Sequence, residues 1–273
     1  MAAAPPIPIR TDAEILANRS EGGPHHRLWL SVPGWPGFAP GQFAMLSPGA
    51  RGSVPRCDPL LPRPMAVYRE RPGPRGPAIE ILYKRTGRGT GLLAEALPGQ
   101  RVALVGPLGR GFEPPRAGER ALLVAGGTGI ASVYELARRL AGSHAVRVLL
   151  GARGAADLMG VADFEALPVE LRLATEDGSA GRRGLVTELL EHELAADGPA
   201  RVYACGPTGM MRRCAELSAA RGVPCIASLE NHMACGFGVC LGCAAPLAAG
   251  GYALVCRDGP MFDAASIGWE RLP

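Results

Sequence analysis

ALLVAGGTGIASVYELARRL, residues 121–140, changes pattern halfway. Ala121–Ala125 is an unbroken apolar run, Gly126-Gly127-Thr128-Gly129 is a turn, and Ala131–Leu140 carries apolar residues at helical spacing. That order predicts strand, tight turn, helix. A glycine-rich turn at that point lets a pyrophosphate approach the backbone and the helix N-terminus. It is not a strict G-x-G-x-x-G, because Ser132 stands where the third glycine would be, and a plain tight turn between strand and helix is the alternative.

Downstream the alternation repeats. Val146–Leu150, Glu170–Ala174 and Val202–Ala204 read as strands; Ala156–Leu167, Leu185–Leu194 and Met210–Arg221 read as helices. Apolar strands alternating with helices predict a parallel sheet covered on both faces, with room for five strands. A second turn, Cys205-Gly206-Pro207, also follows a strand and precedes a helix. Both turns fall at strand C-termini, where open α/β sheets bind ligands.

Upstream, short strands are broken by turns. Candidates are Arg27–Val32, Phe43–Ser47, Met65–Arg69, Ala78–Tyr83 and Val102–Val105, with loops at Gly34–Pro40 and Arg71–Pro77 and one helix at Thr90–Leu97. This pattern predicts an antiparallel β-barrel. Arg63, in Arg63-Pro64-Met65-Ala66-Val67-Tyr68, suits bidentate pairing with a phosphate; a surface arginine is the alternative. Arg88-Gly89-Thr90 opens the helix and suits either a phosphate or a simple N-cap.

From Glu230 glycines and cysteines dominate, with a hairpin expected around Ala248–Gly251. The segment is too small for its own hydrophobic core, so a metal cluster is expected to organise it. Cys235, Cys240 and Cys243 followed by Cys256 make C-x4-C-x2-C…C, the plant-type spacing for a [2Fe–2S] cluster. Two irons in tetrahedral thiolate ligation take four cysteines. Gly236, Gly238 and Gly242 would allow positive φ and close approach of amides to sulfur, and Cys256 would enter from the following strand. Structural zinc is the alternative, although zinc sites usually pair two short C-x2–4-C units and only one is present. Cys57, Cys205, Cys214 and Cys225 read as small buried residues.

The 273 residues suggest two domains with an appendage: 1–116 a barrel, 117–228 α/β, 229–273 the cysteine subdomain. Hydrophobic residues at 47% and charged residues at 20% suit a buried core and exclude a disordered chain. Twenty-nine basic against 25 acidic residues leave a net charge of +4 with no basic run, which points to neither nucleic acid nor membrane as partner. No apolar run reaches transmembrane length, and Met1–Ile9 lacks the basic start of a secretory signal, so the cytoplasm is expected. Disulfides are rare there.

Taken in order, these segments resemble the ferredoxin–NADP⁺ reductase superfamily. Arg63-Pro64-Met65-Ala66 is similar to its R-P-x-S flavin motif, with Ala66 in place of the usual serine and so without that hydroxyl. Gly106-Pro107-Leu108-Gly109-Arg110-Gly111-Phe112 is similar to the G-P-x-G-x-F segment, Ala125–Ile130 to the A-G-G-T-G-I nicotinamide turn, and Cys205-Gly206-Pro207 to the C-G-P turn. Thr175–Ser179, Ser228–Gly236 and Val255–Phe262 narrow the resemblance to the electron-transfer subunits of class 1B dihydroorotate dehydrogenase.

The resemblance implies FAD between barrel and α/β domain. Its diphosphate would lie near Arg63 and Gly89-Thr90, with Leu82, Tyr83 and Lys84 along its edge. Gly126–Gly129 and Cys205-Gly206-Pro207 would take the nicotinamide cofactor, NAD by resemblance. NADP stays an alternative, Arg153 being placed to meet a 2′-phosphate. The implied partner is an FMN-containing catalytic subunit that oxidises dihydroorotate to orotate in pyrimidine synthesis, joined with it as a heterotetramer. Electrons would pass through the cluster and FAD to NAD⁺, with no acid or base catalyst supplied by this chain. A reductase serving ferredoxin, a hydrogenase or an oxygenase is the second reading, and a zinc-stabilised binding module the third.

Overall fold

The computed structural model describes residues 6–47 and 59–272. Seven strands, β1 (Ile9–Gly22), β2 (His25–Ser31), β3 (Phe43–Leu46), β4 (Arg63–Ala66), β5 (Arg69–Gly73), β6 (Gly76–Lys84) and β7 (Arg101–Leu108), form one antiparallel sheet in the order β4-β3-β7-β1-β2-β6-β5. The two edge strands are neighbours in sequence. Between them, the Val67 N–H donates to the Gln42 carbonyl at 3.1 Å and the Tyr68 N–H to the Glu80 carbonyl of β6 at 2.9 Å. The sheet thus rolls onto itself and encloses a core that includes Ile15, Leu28, Leu30, Ile79, Ile81 and Leu104.

Sequence reading misses β1, the longest strand at 14 residues. Ile9, Thr11, Ala13 and Ile15 do alternate, but only Ala13 and Ile15 are buried, so the period-two signal is weak. The expected loop at Arg71–Pro77 is largely paired, because β5 and β6 form a hairpin turning at Pro74-Arg75. The first helix, α1 (Arg88–Ala94), sits earlier than expected. Asn18 Nδ2 donates to the carbonyls of Leu93 and Ala96 at 2.8 and 2.9 Å and fastens its C-terminal end to β1.

The second sheet contains β8 (Arg120–Gly126), β9 (Val146–Ala152), β10 (Glu170–Thr175), the two-residue β11 (Arg182–Arg183), β12 (Ala200–Cys205) and β13 (Cys225–Ser228). Helices α2 (Ile130–Leu140), α3 (Val161–Glu165), α4 (Val186–Leu194) and α5 (Thr208–Ala220) connect them. The parallel order β10-β9-β8-β12-β13 reverses direction between β8 and β12. Alternate residues feed opposite faces. Leu122, Val124 and Val202 pack with Leu190 and Met211 of α4 and α5. Leu123, Val148, Leu150 and Tyr203 pack with Val133 and Leu136 of α2, with Phe164, and with Tyr68 and Leu82 of the barrel.

The single helix expected at 156–167 is interrupted. Gly160 takes φ +68°, and a Cβ there would come within 2.8 Å of the Tyr68 hydroxyl. This break turns α3 so that Asp163 faces the barrel. Its Oδ2 accepts from Arg27 Nη2 at 2.8 Å and from the Tyr68 hydroxyl at 2.9 Å, and its Oδ1 accepts from Arg69 Nη1 at 2.9 Å. Arg69 and Arg27 also pair with Glu80, and the Tyr68 ring stacks on Tyr134 at 4.3 Å. Burial opposes the Asp163 carboxylate, but Arg27, Arg69 and the Tyr68 hydroxyl outweigh it and hold its pKa below the ordinary value. Partly buried charges of this kind set geometry more than they add stability. Here they set the angle between barrel and α/β unit.

The C-terminal segment holds β14 (Ala244–Pro246), β15 (Tyr252–Leu254), α6 (Val255–Asp258) and β16 (Met261–Asp263). It does not depend on a metal alone. β16 adds antiparallel to β13, and Leu229, Met233, Leu254, Val255 and Ile267 join the core under α4 and α5. Each such buried aliphatic side chain contributes about 1.5–3 kcal/mol. Cys205, Cys214 and Cys225 are buried free thiols, as expected; Cys57 lies outside the described residues. Among the described residues, no helix is long and apolar enough to cross a membrane.

Candidate cofactor clefts and cysteine loop

The point where the second sheet reverses is a topological switch point, and a cleft of about 540 Å³ opens there. Gly126, Gly127 and Pro207 line it, together with Arg153, Asp157, Glu176 and Arg213. Gly127 adopts φ +55° with open space where a side chain would project, which suits a ligand lying against the turn. Not every residue of the two turns faces the cleft. A Cβ on Gly129 would fall 2.3 Å from the Cys205 carbonyl, and one on Gly206 2.9 Å from the Gly126 carbonyl. These glycines let the two turns pack backbone to backbone. Cys205 is fully buried, its thiol pushed up to about 12 by burial and by the charge of Glu230.

A second cleft, about 300 Å³, lies between barrel, α2 and the start of the C-terminal segment. It gathers Arg63, Pro64, Met65 and Ala66 from β4, Leu82, Tyr83 and Lys84 from β6, and Thr90 from α1. Gly89 backs the Arg63 guanidinium, 2.8 Å from where its Cβ would be. The Thr90 hydroxyl accepts from the Thr86 and Gly87 amides at 2.9 and 3.2 Å, so it closes the start of α1 while lining the cleft. Thr128 of the first turn faces this cleft, whereas Gly126 and Gly127 face the other, and Lys84 lines both. Its ammonium pairs with Asp157 at 3.1 Å. A guanidinium beside small residues and an open, partly apolar wall fits a flavin dinucleotide; the glycine turns fit a nicotinamide dinucleotide.

Sequence reading overlooks the wall formed by Ser228, Leu229, Glu230, Asn231 and Met233. The signal was positional: this stretch follows β13 as Glu176 follows β10, again at a strand C-terminus.

The cysteine loop continues directly from that wall. Cys243 and Cys256 place their sulfurs 3.2 Å apart, and Cys240 hydrogen-bonds the Cys235 sulfur, so the four thiols fall into two pairs. Among the described residues, no three metal-binding side chains converge on a single point. Two pairs are the donor set that a two-iron cluster needs, two thiolates per iron. Burial works against the Cys235 thiolate, but the amides of Cys240, Phe237 and Val239 point at its sulfur and lower its pKa. The structure corrects two details. Cys256 enters from the short helix α6, not from a strand, and the third positive φ falls on Leu241 (+59°) instead of Gly242, beside +86° at Gly236 and +87° at Gly238. Gly236 presses on the barrel wall, where a Cβ would lie 2.5 Å from Met45 Cγ and 3.0 Å from Leu108 Cδ1.

Comparison with known proteins agrees with this geometry. A family model described as the iron-sulfur cluster binding domain of dihydroorotate dehydrogenase B matches residues 230–268, and an oxidoreductase NAD-binding domain matches residues 123–216. The dihydroorotate dehydrogenase B (NAD(+)) electron transfer subunit of Desulforamulus reducens is 36% identical over 264 residues, covering 95% of this chain and 98% of its own. That of Geobacillus thermodenitrificans is 41% identical over 235 residues, covering 84% and 86%. Among solved structures, a chain of the NADH-dependent reduced ferredoxin-NADP oxidoreductase superposes with a TM-score of 0.82 at 27% identity, covering 100% of this chain and 93% of its own. With a rolled barrel, a switch-point cleft, paired cysteines and relatives matched along nearly their whole length, the chain belongs to the family of dihydroorotate dehydrogenase B electron transfer subunits.

Proposed function

We propose that the chain conducts electrons between a catalytic FMN subunit, which oxidises dihydroorotate to orotate, and NAD⁺. A [2Fe–2S] cluster moves electrons singly, a nicotinamide takes two with a proton as hydride, and FAD exchanges with both. The chain's own residues set the positions. Cys235, Cys240, Cys243 and Cys256 hold the cluster. Arg63 pairs with the flavin diphosphate, Gly89 leaves it room, and Pro64–Ala66, Leu82–Lys84 and Thr90 shape the flavin cleft. Gly126, Gly127 and Pro207 seat the nicotinamide cofactor and Thr128 faces the flavin cleft, while Gly129, Cys205 and Gly206 lock the two turns together. The work divides among residues 1–116, 117–228 and 229–273.

One observation carries this reading. The wall of the second cleft, Ser228–Met233, runs without a break into Cys235, and the loop beyond it packs on Met45 and Leu108 of the barrel. A cluster in the loop and a flavin in the cleft would therefore be neighbours. Phe237, Val239, Leu241 and Tyr252 stand exposed around the loop, an apolar rim suited to the subunit that delivers electrons. Reduced thiols and a cluster suit the cytoplasm. The fold similarity to a reduced ferredoxin-NADP oxidoreductase keeps a ferredoxin-like acceptor as the second reading.

Affinity capture of the chain from its native host, followed by assay of dihydroorotate-dependent NAD⁺ reduction, separates the two. Recovery of an FMN subunit with that activity supports the first. Recovery without it, together with rapid reduction of ferredoxin, supports the second.

A further inference from the structure

We propose that Arg257 sets the reduction potential of the cluster, holding it above the value that the four thiolates and their amides alone would give. The inference rests on the function proposed above, since it concerns the cluster held by Cys235, Cys240, Cys243 and Cys256. Each electron taken up adds a negative charge where four thiolates already crowd together. Net charge, hydrogen bonds to sulfur and solvent access decide what that charge costs, and Arg257 bears on all three.

The side chain lies across the cysteine loop. Arg257 follows Cys256 directly in α6, and its stem covers the turn at Gly238, where a Cβ would lie 2.9 Å from Arg257 Cδ and 3.1 Å from Arg257 Cβ. Gly238 takes φ +87°, and its N–H donates to the buried Cys256 sulfur. The stem therefore backs the amide that serves this sulfur and keeps water from that side. The guanidinium stays at the surface and carries its charge at any physiological pH. Its Nε donates to Asp258 Oδ1 at 2.9 Å and its Nη2 to Asp258 Oδ2 at 3.1 Å. Oδ2 also accepts from the Leu254 N–H at 2.8 Å, closing the turn that presents Cys256. A fork of this kind holds a guanidinium in one place. There its charge is felt by the Cys256 and Cys243 sulfurs as well as by Asp258. The two sulfur pairs are thus served differently. The amides of Cys240, Phe237 and Val239 point at Cys235, whereas the Cys243–Cys256 pair takes the Cys256 and Gly238 N–H groups and the Arg257 charge. A positive charge beside that pair favours the reduced state, and the Asp258 carboxylate works against it. The balance of the two governs how cluster and FAD share electrons.

The test is a redox titration of the cluster, followed by electron paramagnetic resonance, on the anaerobically purified full chain carrying cluster and FAD. Wild type is compared with Arg257→Gln and Arg257→Met, which keep much of the stem without the charge, with Arg257→Lys, which keeps the charge, and with Asp258→Asn, whose remaining oxygen still accepts from Leu254. At a fixed potential the ratio of reduced to oxidised cluster is expected to fall about threefold in Arg257→Gln and Arg257→Met, a modest change because an exposed charge is partly screened. The ratio stays near wild type in Arg257→Lys and rises in Asp258→Asn. Added salt shrinks the Arg257→Gln shift. Equal potentials in wild type and both charge-free variants, or a fall in Asp258→Asn, would overturn the proposal. So would loss of the cluster from both Arg257→Gln and Arg257→Met, which assigns Arg257 to holding the loop together instead of setting its potential. Wild-type protein without iron or acid-labile sulfide contradicts the proposed function itself, which is a distinguishable result.

Discussion

In the cysteine loop the four proposed ligands come from residues 235–256, and three of them from nine consecutive positions. The proposed flavin cleft, by contrast, is walled by β4, β6, α1, the turn before α2 and the stretch after β13, drawing on residues from Gly41 to Pro260. The loop is a local device: its amides and sulfurs are placed by their own turns. The cleft exists only when barrel and α/β unit meet at the correct angle, and the Arg27–Arg69–Glu80–Asp163 contacts set that angle. The two sites should therefore fail in different ways.

The largest expected effect is in the loop. Cys240→Ser removes one thiolate, and cluster absorption should be lost entirely while FAD stays bound; loss of FAD with the cluster intact would contradict the assignment of sites. Next comes Gly129→Ala, whose Cβ would strike the Cys205 backbone and cannot be relieved by a side-chain rotation. It should cost about 3 kcal/mol in urea unfolding and disturb both clefts while sparing the loop's spacing. Arg63→Ala should weaken FAD retention by roughly 10- to 100-fold, the effect of losing one charge-assisted hydrogen-bonding group, with iron content unchanged. Equal FAD occupancy after gel filtration would refute that role.

Asp163→Asn probes the angle between the units and has a pH signature. The Asp163 pKa is depressed in the folded protein from its ordinary 3.8. Its stabilising contribution is therefore full above that value and disappears as pH falls through the lower folded value. The difference in urea midpoint between wild type and Asp163→Asn should stay constant from about pH 5 upward and shrink below about pH 4. A difference that grows on acidification would have the wrong sign. The smallest effect belongs to Leu241→Gly, which relieves a positive φ but frees the unfolded chain, so stability should change by less than about 1 kcal/mol.

The same contrast explains what the sequence made legible. The cysteine spacing, the two glycine turns and the β–α alternation are local patterns, and all three reappear in the fold. The stretch Ser228–Met233 carries part of the family resemblance, but its place in the cleft wall was hidden because that depends on β13 ending beside the barrel. β1 was obscured by alanine and threonine at its inward positions. The broken helix at 156–167 was obscured because Gly160 responds to the Tyr68 hydroxyl, 92 positions away in sequence. Gly129 and Gly206 read correctly as turn glycines, but their close approach to each other depends on β8 and β12 lying side by side.

Parallel assay of iron, acid-labile sulfide and FAD in anaerobically purified protein tests the central claim most directly. Two irons, two sulfides and one FAD per chain are expected, together with bleaching of both chromophores on adding NADH. Protein that binds zinc alone, contains no acid-labile sulfide and shows no flavin absorption would contradict it.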